Sequence, residues 1–259
     1  MSAPSFQARL TPDIRLNSRE QISSLRGLVS GTFITFEGID GSGKSTQLRL
    51  LTSFLRMNGC DVLSTREPGG TQLGLRLRAA LLDAQEEVDP LTELLVFAAD
   101  RAQHVRRMLR PSLESGRVVL SDRYADATVA YQGGGRGFSP QLIAEIVQLA
   151  TDGLVPDLTL LFDVSITESA NRTTRRSSER NARDRLDTED SNFHSRVREA
   201  YLEIAEAEPE RVKLVDTSGA VEKTHERVKA IVVPFLTSKG HLLTPVENPA
   251  KARTKKSQG

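Results

Sequence analysis

The chain is 259 residues long, enough for one large domain or two small ones. Its 35 Lys and Arg against 34 Asp and Glu leave a net charge of +1, so no global field draws it to nucleic acid. A single cysteine, Cys60, excludes an internal disulfide and fits a reducing compartment such as the cytoplasm, while no apolar run approaches the roughly 18–20 residues of a membrane span.

Residues 1–28 lack the apolar stretch of a secretory signal. With only Asp13 and Glu20 as acids they faintly resemble an organelle transit peptide. A flexible N-terminal extension over residues 1–30 is the simpler expectation. Then Thr32-Phe33-Ile34-Thr35-Phe36 reads as a buried strand, and Gly38-Ile39-Asp40-Gly41-Ser42-Gly43-Lys44-Ser45-Thr46 matches the phosphate-loop pattern at every fixed position. The glycines let backbone N–H groups converge on phosphate oxygens, and the following helix start adds further N–H groups and a positive dipole end. Lys44 offers a mobile charge to the β- and γ-phosphates, and Ser45 a hydroxyl to Mg²⁺. A chance match in a glycine-rich turn would lack the flanking strand and the leucine periodicity of Ser45–Met57.

A second strand, Asp61–Thr65, leads into Thr65-Arg66-Glu67-Pro68-Gly69-Gly70-Thr71, a rigid turn before a helix over Leu73–Leu82. It is either an ordinary strand-to-helix loop or one wall of an acceptor pocket. A long helix, Leu91–Glu114, carries Phe97 and Arg101 four residues apart on one face. They could stack a base and bond its edge, although by pattern alone a core Phe beside a surface Arg is the simpler account. The third strand, Arg117–Ser121, delivers Asp122 and Arg123. Asp122 has the place of an acid that holds Mg²⁺ directly or through water, and Arg123 can clamp a phosphate; an ordinary salt bridge to the scaffold is the alternative. Thr128 and Gln132 lie one helical turn apart and could read a base edge before the Gly133-Gly134-Gly135 run.

Further alternation follows: a helix at Pro140–Thr151, a strand at Leu158–Asp163, helices at Thr167–Arg176 and Asn192–Ala207, a strand at Val212–Val215 and a helix at Val221–Thr237. This pattern predicts an α/β fold, a doubly wound parallel sheet of about five strands with its ligand beyond their carboxyl ends. Arg172, Arg175, Arg176, Arg180, Arg183 and Arg185 surround helix-weakening Ser177, Ser178 and Asn181, which reads as a mobile cationic lid over residues 173–187 or as a solvated basic loop. Residues 238–259 end in Lys251, Arg253, Lys255 and Lys256 and read as a disordered basic tail, leaving 31–237 as the domain.

Four ordered stretches together resemble thymidylate kinases. They are Phe36 to Thr46, Thr65 to Thr71, Asp122-Arg123-Tyr124, and Ala130-Tyr131-Gln132-Gly133, with Arg185-Leu186-Asp187 as a fifth late in the lid. The resemblance runs from about Thr32 to Leu236. It implies a nucleoside monophosphate kinase fold and the reaction of ATP with dTMP to give ADP and dTDP, with Mg²⁺ required. It implies that Phe97 stacks on thymine, that Arg101 bonds a thymine carbonyl, and that Thr128 and Gln132 help to read the base. Arg78 and Arg123 would grip the acceptor phosphate, beside a wall of Glu67 and Pro68. Asp40 would lie near the sugar or the metal, and Tyr131 would crowd the 2′ position. The loop from Gly38 to Thr46 would take ATP, with Ser45 and Asp122 toward the metal. No arginine stands within the phosphate loop, so transfer would lean on the lid, with Arg180 and Arg183 foremost beside Lys44 and Arg123. Ala127 stands where the family commonly has Ser. Family members are usually homodimers, and the helix face between Leu91 and Leu109 would supply the contact. Rival readings are a kinase for another monophosphate, a catalytically dead phosphate-loop protein, and a GTP-binding switch, which would normally carry an Asn-Lys-x-Asp motif that this chain lacks.

Overall fold

The computed structural model describes residues 30–84, 86–180, 185–241, 243 and 244; the side chains of 176–180, 187 and 188 lie outside that description. Among the described residues there are five strands: β1 (Thr32–Glu37), β2 (Val62–Arg66), β3 (Val118–Asp122), β4 (Leu158–Asp163) and β5 (Val212–Asp216). They form one wholly parallel sheet in the order β2-β3-β1-β4-β5. The chain therefore reverses direction of winding at β1, and β1 and β3 lie side by side with Phe36 level with Asp122. That register brings the phosphate loop and the Asp122-Arg123 turn together at the carboxyl edge, where ligands of such sheets bind.

All six residues of β1 are buried, as expected of a strand covered on both faces. Alternation sorts its side chains. Ile34 and Phe36 face α1 (Lys44–Met57) and the last helix, packing with Leu51, Leu55, Val228 and Val232. Phe33 faces the other way and joins Val105, Leu109, Val119 and Tyr124.

The remaining helices are α2 (Gln72–Leu82), α3 (Pro90–His104), α4 (Arg110–Glu114), α5 (Ala125–Thr128), α6 (Pro140–Thr151), α7 (Ile166–Arg180), α8 (Ser191–Ala207) and α9 (Val221–Ser238). Several start signals are local. Asp89 caps α3 ahead of Pro90, Ser139 caps α6 ahead of Pro140, and Asp190 caps α8, each side chain accepting from a first-turn N–H.

The single helix expected over Leu91–Glu114 is instead α3, a wider turn at Val105–Leu109 and α4. Pro111 lacks an N–H and its ring crowds the carbonyl four residues back, so the helix widens just before it. A second wide turn, Val129–Gly135, follows α5. There Gly134 and Gly135 admit α8: a Cβ would lie 2.6 Å from the Ala200 Cβ and 2.6 Å from the Phe193 ring respectively. Helix α7 continues through Ser177 and Ser178 to Arg180 rather than ending near Arg176. Extending an existing helix costs little compared with nucleating one.

The chain read as a tail from residue 238 remains attached at its start. His241 Nε2 meets Thr32 Oγ1 at 2.8 Å, Leu243 packs on the core, and the Thr244 N–H donates to Asn58 O. The N-terminal extension, residues 1–29, and the basic tail beyond Thr244 lie outside the described residues. Among the described residues no helix is long and apolar enough to cross a membrane.

Candidate active site

Two clefts meet at the carboxyl edge of the sheet. One has about 620 Å³ of empty space, part of it open to solvent. It is lined by all ten residues expected to meet the acceptor: Asp40, Glu67, Pro68, Arg78, Phe97, Arg101, Arg123, Thr128, Tyr131 and Gln132. Leu82, Asp100, Ala127 and Leu186 complete the lining. The other, wider cleft runs along the phosphate loop from Asp40 to Thr46, past Asp122, to Arg172 and Arg175. Asp40, Glu67, Arg78, Leu82 and Arg123 border both.

At the loop, Gly38 has φ 130°, and a Cβ there would stand 2.4 Å from the Phe162 carbonyl, so only glycine fits. Gly38 and Ile39 do not line the donor cleft. Ile39 is a core residue, 2% exposed, and its role is to offer its carbonyl to Lys44 Nζ at 2.9 Å. Burial, helped by the nearby Arg123 charge, pushes the Lys44 ammonium down to about 8, against the pull of Asp40, Asp122 and Glu37. Ser45 Oγ donates to Asp122 Oδ2 at 2.5 Å.

Arg123 occupies left-handed backbone at φ 73°, a conformation costing a non-glycine residue on the order of 1 kcal/mol. Its N–H donates to Phe36 O at 3.0 Å, which anchors the turn to the neighbouring strand. The guanidinium Nη2 donates to both Asp40 oxygens at 3.0 Å and to Tyr131 Oη at 2.9 Å, and Nη1 to Tyr201 Oη at 3.3 Å. Tyr201 in turn donates to Glu37 Oε2 at 2.8 Å. Burial drives the Glu37 carboxyl up to about 7, reinforced by Asp126 and resisted by Arg123 and the bonds from Tyr201 and Tyr124.

The long helix supplies the far wall. Arg101 is buried, 3% exposed, and Phe97 is half-buried on the cleft, the reverse of a core Phe beside a surface Arg. Arg101 Nε donates to Glu67 Oε2 at 2.7 Å, Nη1 to Thr128 Oγ1 at 2.7 Å and Nη2 to Tyr124 O at 2.9 Å. His104 Nδ1 meets the other Glu67 oxygen at 2.8 Å. Burial disfavours the Glu67 charge, but Arg101 and His104 outweigh it and hold the carboxyl below its usual range. The Glu67–Pro68 peptide is cis, and Arg78 Nη1 donates to Pro68 O at 3.2 Å. Gln132 Nε2 donates to Glu93 Oε1 at 2.9 Å.

Of the lid candidates, Arg183 lies outside the described residues and Arg180 is placed in backbone only. Arg172 is described: it donates to Gly41 O at 3.5 Å and Thr217 O at 3.3 Å, and pairs with Glu168 at 2.8 Å. Sequence reasoning missed Glu37, Glu93, Asp100, His104 and Tyr201. All five are buried, and a charge at the end of an apolar strand for Glu37, or ahead of the apolar run of a helix for Glu93, was the available signal.

Known proteins match this arrangement. A family model described as thymidylate kinase covers residues 36–228. The thymidylate kinase of Exiguobacterium sibiricum is 42% identical over 215 residues, 83% of this chain and 100% of that protein. The thymidylate kinase of Pelobacter propionicus is 47% identical over 206 residues, 78% of this chain and 94% of that one. Among solved structures, thymidylate kinase from Ehrlichia chaffeensis superposes with a TM-score of 0.65 at 36% identity, covering 79% of this chain and 99% of its own. With the family model spanning well over half its length, and with relatives matched nearly end to end, this chain belongs to the thymidylate kinase family.

Proposed function

We propose that this protein transfers the γ-phosphoryl group of ATP to dTMP, giving dTDP and ADP. The observation that carries the reading is the junction of the two clefts at Asp40, Arg78 and Arg123. A nucleotide on the phosphate loop and a monophosphate in the Phe97–Arg101 cleft would bring their phosphates together there. The acceptor phosphate is already an anion, so the reaction needs no strong base. Alignment and neutralisation of two anionic groups are the main task.

Lys44 would leave the Ile39 carbonyl for the donor phosphates, whose charge would hold its ammonium protonated. Arg78 and Arg123 would take the acceptor phosphate. Phe97 would stack on the base, with Arg101, Thr128 and Gln132 at its edge and Tyr131 beneath the sugar. The Ser45 hydroxyl and Asp122 carboxylate are hard oxygen donors side by side, a set that suits Mg²⁺ completed by phosphate oxygens and water. Bound there, the ion would offset charge on the donor phosphates. Arg180 and Arg183 would close over the transferring group as part of a lid across 173–187, within a domain of 31–237. The protein would act in the cytoplasm as a homodimer. Leu94 of α3 and Val105 and Leu109 of the wide turn after it are buried within the subunit, which leaves Leu91 and Leu95 of α3, 46% and 47% exposed, to meet a second copy.

Lys44→Ala tests the donor assignment. dTMP-dependent ADP formation should vanish while far-ultraviolet circular dichroism stays that of the parent. Near-normal turnover in that variant would sink it.

A further inference from the structure

Behind the acceptor cleft, Glu93 sits in the first turn of α3 with no exposed surface. Its carboxylate gathers donors from two other parts of the chain. Gln132 Nε2 donates to Oε1 at 2.9 Å, Arg136 donates to Oε1 from Nε at 3.2 Å and to Oε2 from Nη2 at 2.9 Å, and Arg185 Nη2 donates to Oε2. Gln132 belongs to the wide turn after α5 and Arg136 directly follows that turn, while Arg185 opens the short helical turn Arg185–Thr188 and also bonds Leu81 O at 3.3 Å.

A buried carboxylate can only accept. Burial alone would favour its neutral form, but the bonds from Arg136, Arg185 and Gln132 outweigh that and hold the Glu93 carboxyl below its usual range. An amide side chain has two nearly isosteric ends, and its neighbours decide which end faces which way. Facing an anion, Gln132 must present nitrogen to Glu93. The oxygen is then the end that the same side chain, which lines the acceptor cleft, turns away from Glu93.

We propose that Glu93 is a positioning residue for acceptor choice: it fixes the Gln132 amide so that the cleft offers a hydrogen-bond acceptor to the ring edge of the base. Thymine and uracil carry an N–H on the ring nitrogen between their carbonyls. Cytosine carries an acceptor at that atom and would face a repulsive oxygen. The proposal rests on the dTMP reading above, with Gln132 beside the base. It places the discrimination in the Glu93–Gln132 pair and not in the pocket's shape.

The experiment compares kcat/KM for dTMP and dCMP in the parent, Glu93→Gln, Gln132→Leu and the double variant. A parent that does not prefer dTMP would defeat the dTMP reading itself. Given that preference, Glu93→Gln, whose new amide can donate as well as accept, lets Gln132 turn over. The dTMP-to-dCMP ratio should fall at least about tenfold, mostly through the dTMP KM. Gln132→Leu keeps Glu93 and its arginines, and should lose a similar ratio. The double variant should lose little more than either single one, as expected for groups acting as a unit. Parallel loss of activity on both substrates with an unchanged ratio, or additive losses in the double variant, would overturn the proposal. So would undiminished selectivity in Gln132→Leu, even if Glu93→Gln fails to fold.

Discussion

Arg101, proposed above as a substrate contact, is also one half of a buried structural ion pair. Its guanidinium lies along the cleft wall, yet three of its nitrogens are committed to Glu67, Thr128 and Tyr124. Taking two charges out of water is costly, and excellent geometry is what makes the pair tolerable. Removing one partner leaves the other buried and uncompensated. Arg101→Ala should therefore lower unfolding free energy by about 3–5 kcal/mol, read by chemical denaturation, as well as weakening dTMP binding. A variant as stable as the parent would mean that His104 and water satisfy Glu67 unaided. At this scale the sequence was most informative where chemistry needs a fixed spacing. Gly38 to Thr46 was visible as a pattern, whereas spacing alone favoured a core Phe97 beside a surface Arg101, and only the family resemblance turned that pair toward the base. The network behind them was not visible, because Glu37, Tyr201 and Glu93 meet their partners only through the folded chain.

Among elements, the strands were legible because buried parallel strands read as short apolar runs. Leu158–Asp163 was expected with its observed ends, and the other four differ by one residue at one or both ends. Strand order was not legible, since nothing in an apolar run says which neighbour it takes. The wide turn before Pro111 was missed because leucine and valine spacing continues through it without a break. The lid is the element on which catalysis most depends in this account. Helix α7, from which the proposed lid would extend, is tied to the phosphate loop near its start, with Ser169 Oγ donating to Asp40 O at 2.6 Å. With no arginine inside the loop, the proposal draws the stabilising charge from this side. Arg183→Ala or Arg180→Ala should cut kcat by up to about 10³-fold while changing the dTMP KM far less, measured by steady-state kinetics. Normal turnover in both would move the function elsewhere in the lid, to Arg185 or Arg176.

Over the whole molecule, stability should carry the signature of a buried acid. The Glu37 carboxyl stands near 7 in the fold and at 4.5 when free, raised first by burial. Between those values the folded chain holds a proton that the unfolded chain has released. Stability contributed by this group is thus full below about pH 4.5 and declines as pH rises toward 7. The denaturation midpoint of the parent should show that slope, and Glu37→Gln, which cannot titrate, should show a shallower one, the remainder coming from Asp100, which burial raises from 3.8 to about 6. An identical slope in the variant would assign the titration to another group.

The central claim concerns the two clefts acting together, and one measurement reaches it directly. ADP formation should be followed with ATP and Mg²⁺ while the acceptor is varied among dTMP, dUMP, dCMP, dGMP, AMP and UMP. Release should depend on the acceptor and be fastest by far with dTMP. Release without any acceptor, or a clear preference for another monophosphate, would contradict the claim.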